Sequence, residues 1–586
     1  MNLKMHKCWR HLWNCTVYER CNASKSHRYK HVESWNHVQK FMCSSLPTES
    51  PELHSEGKSY NNMLLEHRQR ARSSIMVEVK SYYSLFHLCQ QIEKFTKPKK
   101  ILYQKTSSEK EYFLIECENP THMRFLLDEC KYLQTDAIPV YSRILKFNNR
   151  SVDKENSLAI ACDILSAPSE NIIMKTLLDA NDITHQMLEL KRCEQLSDLD
   201  IRLRFFVCSL IEDCVSGLFP HALCLPFGSA VNGFGCYSGD LDINLQLCNE
   251  QRETKTPLCF LPKPMLTNDR AQLQRTLETF ADLLQIFVPG VSHMVRILKA
   301  RVPILKFQHE ITGIWCDLSM SNKNAIDMAE FLFTYGELDP HVRPLVYTIR
   351  RWARKCKLTS DVPNAQITNF SLLLMIIFFL QKHSQLHLPS MNQLKSLIEK
   401  KNSSEDPNTD HFKTSKSEPC NLDTLLKEFF AYYATFDFKK NALSLLKGQI
   451  TSKPDYSSLY IHNPIELGLN VSKNVSSEEL NNLTEAMGSA LWQLEKTDGT
   501  KQSEPWGILK LFDAQNKSRY WQEWEKKFQI KTLFNKQKAS SSKDNSKTKD
   551  DPFIYEVESN FVNNLSEKQG KKLKKRTKFY THFQQD

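Results

Sequence analysis

The chain has 586 residues, 41% of them apolar, and 78 Lys/Arg stand against 67 Asp/Glu for a formal net charge of +11. Such a length allows three or four domains with sizeable cores, and no stretch approaches the ~20 apolar residues of a bilayer span, which excludes an integral helical membrane protein. Eighteen cysteines lie scattered with no CxxC pair and no Cys/His spacing for zinc, so free thiols in a reducing compartment are expected. The positive charge is terminal: residues 1–45 hold eight Lys/Arg and two Asp/Glu, residues 531–586 hold thirteen and seven, and the body between is close to neutral. A polyanion site in the body must therefore come from local patches.

Residues 1–45 are basic, acid-poor and lack a secretory apolar core, the pattern of a mitochondrial transit segment. KKLKKR (571–576) is a competing, nuclear address or an RNA-contacting tail. Residues 46–70 are polar and read as a linker. From residue 70 to 150 the pattern is βαββαβ: strand SIMVEV (74–79), a helix over 81–96, strands KKILYQKT (99–106) and EYFLIECE (111–118), a helix over 119–134 and a strand over 138–147. This is a ferredoxin-like, RRM-type unit. Its third strand, KEYFLIECE, lacks the glycine and the paired aromatics that stack RNA bases, so packing against another domain or subunit is the expected use. Residues 185–335 run through a helical stretch and a glycine-rich loop to a helix over 269–287 and two strands, MVRILKARVPILKF and TGIWCDLSM. Beyond 325 the chain reads helical to about 500, interrupted by a polar insertion (401–419). Residues 537–551 are low-complexity, within a basic tail (531–586) expected to be largely disordered.

The stretch FGSAVNGFGCYSGDLDINLQL (227–247) carries the chemistry. In a strand, residues i and i+2 share a face, so Asp240 and Asp242 stand side by side while Leu241 and Ile243 fill the other face. Paired carboxylates repel unless neutralised, and a divalent cation that also takes substrate phosphates does this. Gly228 and Ser229 form a turn whose backbone N–H and hydroxyl can approach a phosphate. Asp317, in the strand GIWCDLSM, is a third carboxylate in a setting where aspartate is unfavourable; three convergent carboxylates fit a two-metal site. On a helix over 341–357, Arg343, Arg350, Arg354 and Lys357 form a stripe opposite Leu345, Ile349, Trp352, Ala353 and Cys356. That stripe is either a solvated face or an anion site.

Gly-Ser, Asp-x-Asp and a later strand aspartate together resemble the nucleotidyltransferase superfamily with the polymerase-β-like palm. RVPILKFQHEITGIWCDLSM, GELDPHVRPLVYTIRRWARKCKLTS, ITNFSLLLMIIFFLQ, LLKEFFAYYATFDF and SLYIHNPIELGLNVSKNVS narrow the resemblance to the noncanonical poly(A) polymerases and terminal uridylyltransferases. With the RRM-like unit in front, the chain from 70 to 515 is similar to the mitochondrial poly(A) polymerases. The implied fold is α+β and multidomain: an RRM-like unit, a nucleotidyltransferase palm and a helical PAP-associated domain over 336–515. The implied activity is template-independent addition of AMP from ATP to RNA 3′ ends.

The resemblance also implies roles. Asp240 and Asp242 would bind two Mg²⁺ or Mn²⁺ ions, and Asp317 would complete the metal site and help deprotonate the primer. Gly228 and Ser229 would hold phosphate, with Asn369 contacting it and Arg350 and Arg354 gripping the triphosphate. Phe370 would stack the base, and Leu469, where uridylyltransferases carry a histidine, would favour ATP over UTP. Relatives place an Asn against the ribose where this chain has Met328, and their Ser-Asp-x-Asp is here Ser238-Gly239-Asp240, slipped by one residue. A homodimer through the RRM-like unit and a mitochondrial matrix location are further implications. The competing readings are a uridylyl- or oligonucleotide transferase, nuclear or cytoplasmic, and a catalytically silent RNA-binding scaffold.

Overall fold

The computed structural model describes residues 59–512 apart from 107, 131–141, 149–167, 248–269, 321, 361–363, 384, 387, 397–420 and 497–504. The transit-like segment, the 401–419 insertion, KKLKKR and the 537–551 stretch lie outside the described residues.

The RRM-like unit begins earlier than its strands suggest. Helix α1 (Tyr60–Arg72) occupies part of the expected linker; its Arg68 and Arg72 reach Glu212, each at 3.0 Å. Strand β1 (Ser74–Val79), helix α2 (Leu85–Ile92), strands β2 (Pro98–Lys105) and β3 (Glu111–Cys117), helix α3 (Pro120–Asp128) and strand β4 (Ile144–Lys146) follow in the expected order. Asn119 caps α3 through its side chain, with proline in the first turn, a preorganised start. The four strands form one sheet in the order β2-β3-β1-β4.

The two faces of this sheet follow from alternation. Ile75, Val77, Phe113 and Ile115 pack against Leu85, Leu88, Met123 and Leu126 of the unit's own helices. Met76, Leu102, Tyr112 and Leu114 join a different core, that of Leu203, Phe206 and Leu210, which belong to a long helix of the next unit. The face an RNA-reading RRM leaves open is therefore covered by the chain's own next domain, as the third strand's composition suggests.

That next unit starts with helix α4 (Glu170–Asp179), α5 (Ile183–Glu194) and α6 (Asp198–Val215). A capping box between Ser197 and Asp200 fixes the start of α6. Strands β5 (Leu223–Phe227) and β6 (Leu241–Gln246), helix α7 (Arg270–Phe287) and strands β7 (Val291–Ile297), β8 (Ile304–His309) and β9 (Ile314–Met320) complete the palm, its sheet ordered β5-β6-β9-β8-β7. MVRILKARVPILKF is thus a hairpin of two strands rather than one. β6 and β9 are parallel and the other pairs antiparallel. One face, with Leu241, Ile243, Leu305, Phe307, Cys316 and Leu318, is packed on α6 and α7. The other carries the acidic residues.

The third unit comprises α8 (Lys323–Leu338), α9 (Val342–Lys355), α10 (Asn369–Lys382), α11 (Leu422–Ala434), α12 (Ser477–Glu495) and a 3-10 turn (Gly507–Phe512). Helix α10 is buried without a break from Ser371 to Leu380, which is why its apolar run shows no polar face. The helical reading fails between α11 and α12: Asn441–Ser444 (β10) and Gln449–Ser452 (β11) form a hairpin, with Gly448 at φ +63° in its turn. Helices α4 and α5 bury Ile173, Leu177, Met187 and Leu190 in this helical core, not in the palm. No described helix is long and apolar enough to cross a membrane.

Candidate active site

Strand register assembles the carboxylates. Asp242 pairs with Phe227 on one side and Asp317 on the other, and Asp317 pairs with Lys306. Directly opposed residues share a face, so Asp242, Asp317 and Lys306 form a row across β6, β9 and β8, with Asp240 just before β6. The Lys306 Nζ donates to Asp240 Oδ2 and to Asp317 Oδ1, both at 3.0 Å. Burial alone would lower this ammonium, but the two hydrogen-bonded carboxylates hold it above the usual lysine range. Among the described residues Asp242 has no such partner. Burial first, then the charges of Asp317 and Asp240, push its carboxyl up to about 7 against the opposing pull of Lys306.

The Gly228 turn abuts the same carboxylate. Gly228 follows β5, begins a 3-10 turn (Gly228–Ala230) and has φ +65°. A Cβ at this position would stand 2.5 Å from Asp242 Oδ2. Gly228→Ala is therefore expected to displace either the turn or the carboxylate and to reduce any catalysis at these carboxylates at least tenfold, measured under single-turnover conditions. Unchanged turnover would show that the turn has slack.

The loop from Gly228 to Gly239 is held from two sides. Tyr347 Oη donates to the Gly235 carbonyl at 2.6 Å, and Arg350 Nη1 donates to the Phe234 carbonyl. The guanidinium of Arg343 lies where side chains on Gly233 and Gly336 would otherwise stand, and it pairs with Glu337 at 2.6 Å. From the palm side, buried Arg204 donates to the carbonyls of Tyr237 (3.2 Å) and Gly239 (2.7 Å). The expected cationic stripe is thus divided in use. Arg343 and Arg350 brace the loop, the Arg350 Nε being buried without a partner among the described residues. Arg354 is exposed. Lys357 lies past the end of α9 with φ +54°.

The remaining expected residues come from the helical unit. Asn369 and Phe370 open α10 behind the Thr368 cap; Phe370 is exposed, and the Asn369 Oδ1 is buried without a partner among the described residues. Leu469 is half-buried, in a loop whose Glu466 bonds Asn324 at 3.0 Å and pairs with Arg301 of the β7–β8 turn. Met328 is buried in the core of α8. No described hydrogen bond or ion pair joins Arg354, Phe370 or Leu469 to the carboxylates.

The residues missed in the sequence are Lys306 and Arg204. Each carried a signal. Lys306 is the one residue of ILKFQH with a permanent charge, and Arg204 is a lone charge in the apolar run RFFVCSL. Among the described residues no His, Cys, Asp or Glu trio closes into a ready-made metal cage. The donor set instead fits cations that take one or two carboxylates and complete their shell with water and phosphate: three carboxylates face one ammonium, leaving net negative charge. Lys306→Met is expected to lower the melting temperature in EDTA, and millimolar Mg²⁺ is expected to recover most of the loss. An equal deficit with and without Mg²⁺ in thermal-shift assays would contradict this account of the charge.

Comparisons with known proteins give the family. The family model described as "Poly(A) RNA polymerase, mitochondrial-like, central palm domain" matches residues 183–337, and that described as "Cid1 family poly A polymerase" matches residues 421–469. The mitochondrial poly(A) RNA polymerase of Drosophila melanogaster is 34% identical over 80% of this chain and 82% of its own length. The human one is 36% identical over 68% and 72%. The chain belongs to the mitochondrial poly(A) RNA polymerase family. It is an α+β nucleotidyltransferase by family and by fold. The crystal structure of mtPAP with ATPγS superposes with a TM-score of 0.69 at 32% identity, covering 78% of this chain and 99% of that one; the same protein has been crystallised with UTP, GTP and CTP.

Proposed function

We propose that this chain adds AMP from ATP, without a template, to the 3′ ends of RNA in the mitochondrial matrix. The observation that carries the reading is the row of Asp242 and Asp317 beside Asp240 and the Gly228 turn, in a chain of this family. Asp240, Asp242 and Asp317 would hold two Mg²⁺ or Mn²⁺ ions, whose chemistry when bound would be to supply positive charge at the transferring phosphoryl group and the primer hydroxyl. The Gly228-Ser229 turn positions the triphosphate, while Arg350, Arg354 and Asn369 contact its oxygens. The primer 3′-oxygen bonds to the α-phosphorus, its proton passes toward Asp317, and the bond to the β-phosphate breaks to release pyrophosphate. Phe370, exposed at the start of α10, stacks the incoming base.

Base choice rests on Leu469, whose apolar side chain offers no donor to a uracil carbonyl. In the solved mtPAP all four bases have been captured, so occupancy does not sort them there, and selection is to be read from turnover. The test is extension of a labelled RNA primer with each NTP in turn, for the wild type beside Leu469→His. ATP-only extension by the wild type, with UTP use raised in the variant, is expected. Predominant UTP use by the wild type would replace the adenylyl reading with a uridylyl one.

The reading includes a homodimer through the RRM-like unit. One sheet face of that unit is packed on its helices and the other on the palm, which leaves the sheet edges and outer helix surfaces for a second copy. Light scattering on the full chain decides it: a monomer at micromolar concentration sinks the dimer.

A further inference from the structure

The open face of the palm sheet continues beyond Asp317 into a surface that the reaction scheme does not use. Trp315 lies two residues before Asp317 on the same face of β9, and 37% of its surface is exposed. Its neighbours in the strand, Ile314 and Cys316, are buried on the other side. The imidazole of His293 sits 6.0 Å from the indole at an interplanar angle of 34°. His293 has φ +50° and lies where the register of β7 slips between Ser292 and Val295, so an uncommon backbone conformation brings this ring to the indole. The Lys306 Nζ that ties Asp240 to Asp317 is also 5.8 Å from the centre of the Trp315 ring. Beyond it Val295, opposite Lys306 in the register, is exposed.

The order of the sheet gives this patch its meaning. Reading from β5 to β7, the face carries the Gly228 turn, Asp242, Asp317 and then Lys306 and Val295, with Trp315 beside Asp317. The Gly228 turn, after β5, and the indole, on β9, are therefore on opposite sides of the strand that carries Asp242, with Asp240 just before it. An in-line displacement needs its nucleophile and its leaving group on opposite sides of the reacting phosphorus. If pyrophosphate departs on the Gly228 side, the primer enters from the Trp315 side. An exposed indole is what holds a base of a single strand, since stacking is indifferent to base identity.

We propose that Trp315, flanked by His293, is a stacking platform for a base at the 3′ end of the RNA primer. The platform holds the strand so that its terminal hydroxyl reaches Asp317. This rests on the polymerase reading above and adds a primer-binding residue to it.

The test is binding of a fluorescent single-stranded RNA to the full chain in EDTA without nucleotide, read by anisotropy, for wild type, Trp315→Ala and Trp315→Phe. Each is titrated with the intact primer and with primers carrying one abasic nucleotide at each of the last four positions. The alanine variant is expected to bind the intact primer about tenfold more weakly and the phenylalanine variant to recover most of it. At one abasic position the wild type is expected to fall to the level of the alanine variant, which itself loses nothing there. Equal affinity of wild type and Trp315→Ala overturns the proposal. So does a deficit that no abasic position removes, which would mean that Trp315 shapes the sheet rather than holding a base. Wild-type extension with ATP, run alongside, separates the failures: extension with no Trp315 effect sinks only the platform, whereas no extension and no RNA binding sinks the polymerase reading as well.

Discussion

Asp242→Asn is expected to abolish AMP addition, by on the order of 10³-fold or more, and at the same time to stabilise the metal-free chain at pH 8. The first effect follows from removing the central carboxylate of the row. The second follows from what that carboxylate endures without metal. Its folded carboxyl titrates at about 7, above the ordinary aspartate value of about 3.9, so between these values the folded state binds the proton that the unfolded chain has released. Stability of the wild type in EDTA must then fall as pH rises from about 4 to about 7 and stay low above that. The asparagine variant escapes this fall. Urea titrations should show the two proteins converging near pH 4 and separating by on the order of 2–4 kcal/mol above pH 7, with Mg²⁺ narrowing the gap. A variant less stable than wild type in EDTA at pH 8 would refute the account. Loss of activity and gain of stability from one substitution is the signature of a group retained for chemistry.

Arg143→Met is expected to produce the largest loss of stability. This guanidinium is 2% exposed and has four partners: the carbonyls of Ala71 (2.6 Å) and Ser74 (2.9 Å), the Ser209 hydroxyl (2.6 Å) and the Asp213 carboxylate (2.8 Å). It also lies 5.0 Å from the centre of the Phe206 ring. One side chain thus ties the end of α1 and the start of β1 to the palm helix α6. Methionine fills the volume but leaves two carbonyls, a hydroxyl and a carboxylate without their donor, a cost of about 3–5 kcal/mol. Lysine keeps the charge but not the fork, and should recover only part of it. The check is the urea midpoint of each variant with its m value; an unchanged midpoint for Arg143→Met would show that water replaces the donor.

Much of this architecture was legible in advance because it is written in local periodicity. The βαββαβ order, the 270–287 helix and the buried α10 all follow from spacing alone. The misses share a cause, namely that their partners lie far along the chain. Helix α1 reads as linker because its polar face is satisfied by Glu212, some 140 residues away. The 291–309 hairpin reads as one strand because its turn, KARVP, lacks glycine and asparagine, and the β10–β11 hairpin is hidden in a leucine-rich stretch. Within the site, the aspartates announce themselves by i, i+2 spacing and by their unfavourable strand context. Lys306 and Trp315 do not, since their meaning depends on which strand lies beside β9 and on which face is open. The arginine stripe was visible on the helix, yet only the loop carbonyls show that Arg350 already has one partner.

The covered sheet face has a bearing on how this protein can be cut. A module normally keeps its ligand surface free and can be moved intact between proteins; here that surface has become a joint, sealed by Met76, Leu102, Tyr112 and Leu114 against Leu203, Phe206 and Leu210. Removing the first unit would uncover a broad apolar area on α6 and take Arg143 with it. A catalytic fragment that folds by itself is therefore expected to include α1 and the first unit, well ahead of the first residue that touches chemistry. Beside its own core the first unit thus shares a second one with the palm, so that neither side of the joint is a finished surface without the other.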